Sequence, residues 1–286
     1  MTGDQNLDTL FQLATTAMES GDRVALESLL EQHPQLVHER LESPGDWLRT
    51  KIGKALEGFF RRPFLLWFIA EDPVRSGKLP LNIAEVARTI IQKARQEKTG
   101  TLQEQLDYSL RLVCWSTVAS ACGVQIGLID VLLDAGASSR GCSDDALVNG
   151  NITAARHLVE RGAAMTLSTA LCLGRWDDAT RLAQSAPFRE KQFALVLSAL
   201  RGKGDTLRTL LAFGVDVNTR SEDLFSHGTA LHHAASSGSL DAVKVLVEAG
   251  ASLNARDTLY NGTPMDWADY GKFHDITSYL REKMQE

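Results

Sequence analysis

Three histidines lie within seven residues of one another, and side chains of this type could bind a metal ion or transfer a proton. His227, His232 and His233 occur in the stretch "SHGTALHH". Zinc sites combine histidines with cysteines, carboxylates or further histidines at regular spacings, and no acid or cysteine stands at a convincing ligand spacing from this group. We therefore predict no metal and no cofactor for this chain, and a structural role for the histidines.

The paired carboxylates and the cysteines do not indicate catalysis either. Asp144–Asp145 and Asp177–Asp178 stand at or near the starts of predicted helices, where acidic side chains favour the helix dipole. The sequence has no phosphate-binding loop, zinc-protease or nucleophile-elbow motif. Four cysteines, at positions 114, 122, 142 and 172, lack the C-x-x-C pairing of a zinc site, so reduced thiols are expected. We predict no catalytic residue.

Composition argues against several classes of partner. The chain has 286 residues, is 44% apolar and 23% charged, and carries a net charge of −6. Nucleic-acid binding normally needs a cationic face, and the most basic stretch, "WLRTKIGKALEGFFRRP", fits a solvated helix face. No apolar run approaches the roughly 20 residues of a membrane helix, and the first residues lack the features of a secretory signal. We predict a cytoplasmic protein that binds neither nucleic acid nor membrane.

A fixed spacing of glycine and leucine recurs along the chain and indicates an internal repeat. In "SSGSLDAVKVLVEAGA", Gly238 lies eight residues before Leu246 and twelve before Gly250. The same offsets occur in two further stretches, at Gly150, Leu158 and Gly162 and at Gly202, Leu210 and Gly214. Partial copies occur around four other glycines: Gly21, Gly123, Gly174 and Gly271.

Each copy is predicted to be a pair of short antiparallel helices. The first glycine turns the chain after the inner helix and the second does so after the outer helix, because glycine adopts the left-handed conformation without a steric penalty. Thr229 is a predicted helix cap, as is Thr263 before Pro264. The aliphatic residues around Leu246 form a stripe too wide for one pair to bury, so neighbouring copies must cover it.

These features resemble the ankyrin repeat. Its T-P-L-H-x-A motif maps onto "TALHHA" at 229–234, which departs at the proline, and onto "TPMDWA" at 263–268, which departs at the histidine. The resemblance implies an all-α ankyrin-repeat solenoid of about eight helix pairs, with short β-hairpin fingers mainly at the C-terminal end. It also implies that His232 forms hydrogen bonds within and between repeat turns, whereas His233 points toward the groove or the solvent.

The repeat spacing predicts one solenoid over residues 1–286, in four segments. Successive turn glycines from Gly123 onward are 27, 24, 28, 36 and 33 residues apart, so the middle copies lack the residues of a finger. The predicted segments are an N-terminal repeat (1–42), an irregular helical region with an enlarged loop (43–122), short repeats (123–220) and regular C-terminal repeats (221–286). In the irregular region, "RPFLLWFIAED" is expected to be a buried helix stopped by Pro73.

The resemblance implies a non-enzymatic protein–protein interaction scaffold, a monomer by expectation, that binds another protein on its concave face. "SEDLFSHG" and "DTLYNG" place an aromatic residue among charges, a composition typical of interface anchors. The alternative is that both aromatics fold back onto their own turns. The predicted partner-binding residues are the anchors Phe225 and Tyr260, an acidic rim of Glu222, Asp223 and Asp257 that selects a basic partner, and the neighbouring His233 and Trp267.

A second hypothesis is a small-molecule binder or an unusual enzyme. Its pocket would lie between the irregular region 43–122 and the short middle repeats, where polar residues surround an aromatic pair. The competing interpretation of this stretch is a solvated connection with internal ion pairs. The candidate pocket residues are Arg62, Trp67, Glu71, Asp72, Arg75 and Lys78.

Overall fold

The computed structural model describes residues 6–286 and is mostly helical. Helices account for 63% of the chain, and no strand occurs in the part that the structure describes, which confirms the predicted all-α class. The chain divides into two compact units, Met1–Ala164 and Met165–Glu286. The two units are described separately, and the single solenoid over the whole chain stays a prediction.

The N-terminal unit combines regular helix pairs with an irregular segment between α2 and α4. Its α-helices are α1 (Leu7–Ser20), α2 (Arg23–Gln32), α3 (Asp46–Ile52), α4 (Ile83–Gln96), α5 (Leu102–Trp115), α6 (Thr117–Ala121), α7 (Gln125–Asp134), α8 (Cys142–Val148) and α9 (Ile152–Glu160). Its 3-10 helices are Pro34–Val37, Gly53–Glu57 and Leu65–Ala70.

The buried helix predicted from "RPFLLWFIAED" is buried, but it is a 3-10 helix, Leu65–Ala70, all of whose residues are buried. The rings of Phe11 and Phe60 lie 6.2 and 5.2 Å from that of Phe68. The helix ends at Glu71, which adopts the left-handed conformation with φ 51°, and not at Pro73 as predicted. Aromatic packing, more than backbone hydrogen bonding, therefore holds this segment.

The C-terminal unit consists of consecutive helix pairs. Its helices are α10 (Leu167–Cys172), α11 (Trp176–Ser185), α12 (Phe188–Leu200), α13 (Gly204–Ala212), α14 (Ala230–Ser236), α15 (Leu240–Glu248), α16 (Pro264–Tyr270) and α17 (His274–Lys283). The inner helices α12, α14 and α16 pack in succession, and α15 packs against α13, α14 and α17.

The predicted turn glycine between α14 and α15 is required for two reasons. Gly238 has φ 74°, a conformation that residues with a side chain rarely adopt. A Cβ atom at this position would also lie 2.6 Å from the Phe273 ring, which belongs to the next repeat. The repeat spacing in the sequence thus marks both a chain reversal and a close approach between neighbouring repeats.

Two parts of the predicted architecture are not supported. Eight regular pairs do not form as expected, because residues 43–82 hold one seven-residue α-helix and two 3-10 helices. The predicted β-hairpin fingers are wrong for the described residues. The backbone of these segments forms isolated hydrogen bonds instead. The Thr258 N–H donates to the carbonyl oxygen of His227 at 2.9 Å, and the Asp257 N–H donates to that of Gly262 at 2.8 Å. These isolated bonds do not continue as a ladder.

Candidate partner-binding site

His232 joins two successive repeats. Its Nδ1 accepts the backbone N–H of Thr229 at 3.1 Å, and its Nε2 lies 3.1 Å from the carbonyl oxygen of Gly262. The first bond caps α14, and the second crosses to the turn before α16. Burial lowers the pKa of His232, although the Gly262 carbonyl opposes the shift. This is the structural role that the resemblance to ankyrin repeats implied.

His233 lies at the centre of a packed aromatic cluster. It is buried, its ring centroid lies 5.9 Å from that of Phe225 and 5.4 Å from that of Trp267, and His227 is 5.4 Å from Trp267. Burial lowers the pKa of His233 to about 4, so this imidazole is neutral at pH 7. Among residues 6–286, no group of three histidines, cysteines or carboxylates is arranged to hold a metal ion.

Asp257 does not lie on the predicted acidic rim, because it is buried under the turn that it stabilises. Its Oδ1 accepts the backbone N–H groups of Leu259 and Tyr260 at 2.9 and 2.6 Å. Its Oδ2 accepts the Gly262 N–H and the indole N–H of Trp267, both at 2.9 Å. Burial alone would raise the pKa of Asp257, but the four hydrogen bonds outweigh it and hold the pKa well below its ordinary value.

Asp257→Asn should destabilise the C-terminal unit by about 1–3 kcal/mol, because an amide nitrogen would face two of the four donors. Since the folded-state pKa is lowered, the stability from the carboxylate is fully present above the ordinary pKa of about 4 and is lost as the pH falls below it. Urea denaturation at pH 7 and pH 3 measures both effects, with the exposed Glu248→Gln as control. An equal cost at both pH values would contradict the assignment to the ionised form.

The C-terminal unit carries an open groove between α14 and α16, with a volume of about 720 Å³. Tyr260 and Tyr270 on its edges are 80% and 92% exposed. The groove thus unites the predicted Tyr260 and Trp267 with residues that the sequence interpretation missed. The lining residues are Ser236, Tyr260, Asn261, Gly262, Asp266, Trp267 and Tyr270.

Tyr270 is the main omission from the predicted site. It follows Trp267 by three residues in α16, so the two aromatic side chains stand one above the other on one face of the helix. This spacing is visible in "PMDWADY" and could have indicated the residue. What the spacing does not show is that Trp267 packs against the histidines of α14 while Tyr270 is 92% exposed.

The remaining predicted contact residues lie on the segment before α14. Phe225 is 46% exposed, and its ring lies 6.3 Å from His227. Both acidic residues of this segment form ion pairs with Arg189 of α12: Asp223 through two hydrogen bonds, and Glu222 at 3.7 Å. One guanidinium of the chain itself thus faces both carboxylates of the predicted acidic rim and compensates one of the two charges.

The alternative pocket residues in the N-terminal unit form an internally bonded loop. Glu71 is fully buried and accepts the backbone N–H groups of Arg75 and Gly77 at 2.8 and 2.9 Å, as well as that of Ser76. The buried guanidinium of Arg75 lies 2.8 Å from the Glu71 carboxylate and donates to the Phe68 carbonyl at 2.6 Å. The internal ion pair of the competing interpretation is present, but the pair is buried and not solvated as that interpretation expected.

The other members of this predicted pocket differ in burial. Trp67 is buried, Lys78 is exposed, and Arg62 forms an exposed ion pair with Glu42. Burial raises the pKa of Asp72 to about 6, although the positive charge of Arg75 opposes the shift. Trp67 thus lies in the 3-10 helix Leu65–Ala70, and Glu71, Asp72, Arg75 and Lys78 lie in the loop that follows it. A pocket shared by the six residues stays a hypothesis.

Comparison with known proteins identifies the class. The family described as "Ankyrin repeats (3 copies)" matches residues 145–257 and 195–285. A 74-residue stretch is 42% identical to the potassium channel GORK of Arabidopsis thaliana, and the match covers 26% of this chain and 8% of the channel. The chain is an ankyrin repeat protein, and repeats of this family are generally protein–protein interaction modules. No helix among residues 6–286 is both long and apolar enough to cross a membrane.

Proposed function

We propose that this protein is a non-enzymatic scaffold that binds another protein on the concave face of its repeats, with the C-terminal unit supplying the contacts. The observation that carries the proposal is the groove between α14 and α16, which two highly exposed tyrosines line together with Trp267. Tyrosine and tryptophan are enriched among the residues that dominate binding energy, since each buries a large area at a small cost in side-chain entropy.

A rigid support favours this use of the groove. The turn that carries Tyr260 is fixed by three hydrogen bonds to Asp257, and a fourth bond to the same carboxylate holds the indole of Trp267. A preorganised surface loses little conformational freedom on binding, so more of the contact energy contributes to affinity. Phe225 adjoins this surface through His227, whose ring contacts both Phe225 and Trp267.

Affinity capture with the tagged full chain, followed by mass spectrometry, should recover a protein partner. Against that partner, the double variant Tyr260→Ala/Tyr270→Ala should lose more than about 2 kcal/mol of binding free energy, roughly thirtyfold in Kd. Its melting temperature should stay close to that of the parent, because both side chains are mostly exposed. Isothermal calorimetry and thermal denaturation measure the two quantities.

The matched control is Trp176→Ala, which removes a half-exposed aromatic residue of the same unit from the start of α11, outside the groove. Its affinity should equal that of the parent. If the double variant also binds as the parent does, the groove is not the binding site. If its melting temperature falls sharply, the tyrosines support the fold instead.

A further inference from the structure

The groove between α14 and α16 combines aromatic walls with a carboxylate. Tyr260, Trp267 and Tyr270 provide three π faces, and Asp266 lies among them. The Asp266 Oδ2 atom accepts the N–H and the hydroxyl of Thr263, both at 2.8 Å. These two hydrogen bonds from Thr263 lower the pKa of Asp266, so that this side chain is a carboxylate at neutral pH.

The charged side chain that lines the groove is a carboxylate. Among the lining residues that the structure describes, Asp266 is acidic and there is no lysine or arginine. The buried carboxylate of Asp257 lies behind the groove and bonds the indole N–H of Trp267 at 2.9 Å. Two guanidiniums lie outside the lining: Arg256 donates to the carbonyl of Asn261 at 2.6 Å, and Arg220 donates to the carbonyl of Arg256 at 2.5 Å. Within the groove itself a ligand therefore meets the Asp266 carboxylate and no cation.

This combination suits a cation. Lysine and arginine side chains are attracted to the faces of tryptophan and tyrosine within about 6 Å of the ring centroid, and the attraction grows when the site is partly shielded from water. A nearby carboxylate adds a charge-assisted hydrogen bond to the cationic group. An anionic ligand would meet repulsion from the Asp266 carboxylate, and an apolar one would remove water from that carboxylate without adding a partner to the two hydrogen bonds from Thr263.

We propose that the groove receives a cationic side chain, a lysine or an arginine, from the protein partner, held between the faces of Tyr260, Trp267 and Tyr270 and paired with Asp266. This inference rests on the proposed function, since it names the chemistry by which the same site selects its partner. It places the preference for a basic partner in the groove itself and not on the acidic segment before α14, where Arg189 already pairs with Glu222 and Asp223.

Defined peptide libraries test the proposal without a known partner. Full-length protein is incubated with immobilised peptides of random flanks whose central residue is lysine, arginine, acetyl-lysine or citrulline. The neutral residues match the cationic ones closely in size. We expect the lysine or the arginine library to retain about tenfold more protein than its neutral counterpart. Equal retention, including no retention by either member of the pair, would overturn the proposal.

Variants at Tyr270 separate a cation–π contact from ordinary apolar contact. Tyr270→Phe keeps an aromatic face and should retain the preference for the cationic library, whereas Tyr270→Leu should lose most of it at an unchanged melting temperature. Asp266→Asn should reduce the preference as well, and Trp176→Ala should leave it intact. Equal preference in the phenylalanine and leucine variants would contradict the cation–π assignment.

The outcome is independent of the test of the proposed function. If a captured partner requires Tyr260 and Tyr270 while the libraries show no preference for a cation, the groove is a protein-binding site of apolar character and only the present inference fails. If the libraries show the preference but the captured partner binds the Tyr260→Ala/Tyr270→Ala variant as tightly as the parent, the proposed function fails at this surface. The cation selectivity of the groove then still stands.

Discussion

Glu71→Ala should destabilise the N-terminal unit by about 3–5 kcal/mol, the cost typical of removing one partner from a buried ion pair. The fully buried Glu71 carboxylate is the acceptor for three consecutive backbone N–H groups, from Arg75, Ser76 and Gly77. It is also the counter-ion, at 2.8 Å, of a guanidinium that is itself buried. Alanine would leave the three donors unpaired and the Arg75 charge with Asp72 and the more distant Glu19, at 3.6 Å.

The expected loss can be measured by equilibrium denaturation in urea, followed by the fluorescence of the tryptophans in the full chain. The matched control is Glu42→Ala, which removes a carboxylate from the exposed ion pair with Arg62. Exposed pairs contribute at most about 1 kcal/mol. If the two variants lose similar stability, Glu71 does not organise the loop, and the residues 71–78 must be held by other contacts.

Leu246→Ala should cost about 2–5 kcal/mol, because it removes buried methyl groups and leaves a cavity that α15 and its neighbours cannot fully close. Leu246 is completely buried in α15, which packs against α13, α14 and α17. The position is also the leucine of the repeat spacing, eight residues after Gly238. The effect should therefore extend to the neighbouring repeats.

The control for this prediction is the same substitution at an exposed position. Leu259, on the turn before α16, is 65% exposed, so Leu259→Ala should change the stability by less than about 0.5 kcal/mol. Both variants are compared with the parent by thermal and urea denaturation. If Leu246→Ala unfolds within about half a kcal/mol of the parent, the assignment of the repeat register is wrong.

The sequence alone determined the repeat class and the helix pairs of the C-terminal unit, and the resemblance of its motifs to ankyrin repeats implied the role of His232. These features depend on local rules: a left-handed glycine such as Gly238 between two helices, a cap such as Thr229, and an apolar stripe with helical spacing. Each rule involves residues within one repeat, and the recurrence of the repeat multiplies the signal. The expected loss of regularity within residues 43–122 could be predicted for the same reason, since the glycine spacing is absent there.

The tertiary structure decided which polar and aromatic residues are available to a partner. Asp257 and Tyr260 stand three residues apart on one turn, yet the first is buried by four donors and the second is exposed. The sequence predicted Glu222 and Asp223 as an acidic rim, but both pair with Arg189, which lies more than thirty residues earlier in the chain. The Arg189 pairs depend on how neighbouring repeats pack, and the burial of Asp257 depends on how its own turn folds over it, and neither can be derived from the spacing of residue types.

The same reason explains the errors in the predicted architecture. Whether "RPFLLWFIAED" forms an α-helix or a 3-10 helix depends on the rings of Phe11 and Phe60 that pack around it, because tertiary packing overrides weak helix propensities. The absence of strands before α14 and α16 depends on which partners satisfy the backbone groups, and Asp257 and His227 provide several of them. The sequence thus specified the repeat, while packing within each compact unit specified the irregular segments and the surface on which the proposed function depends.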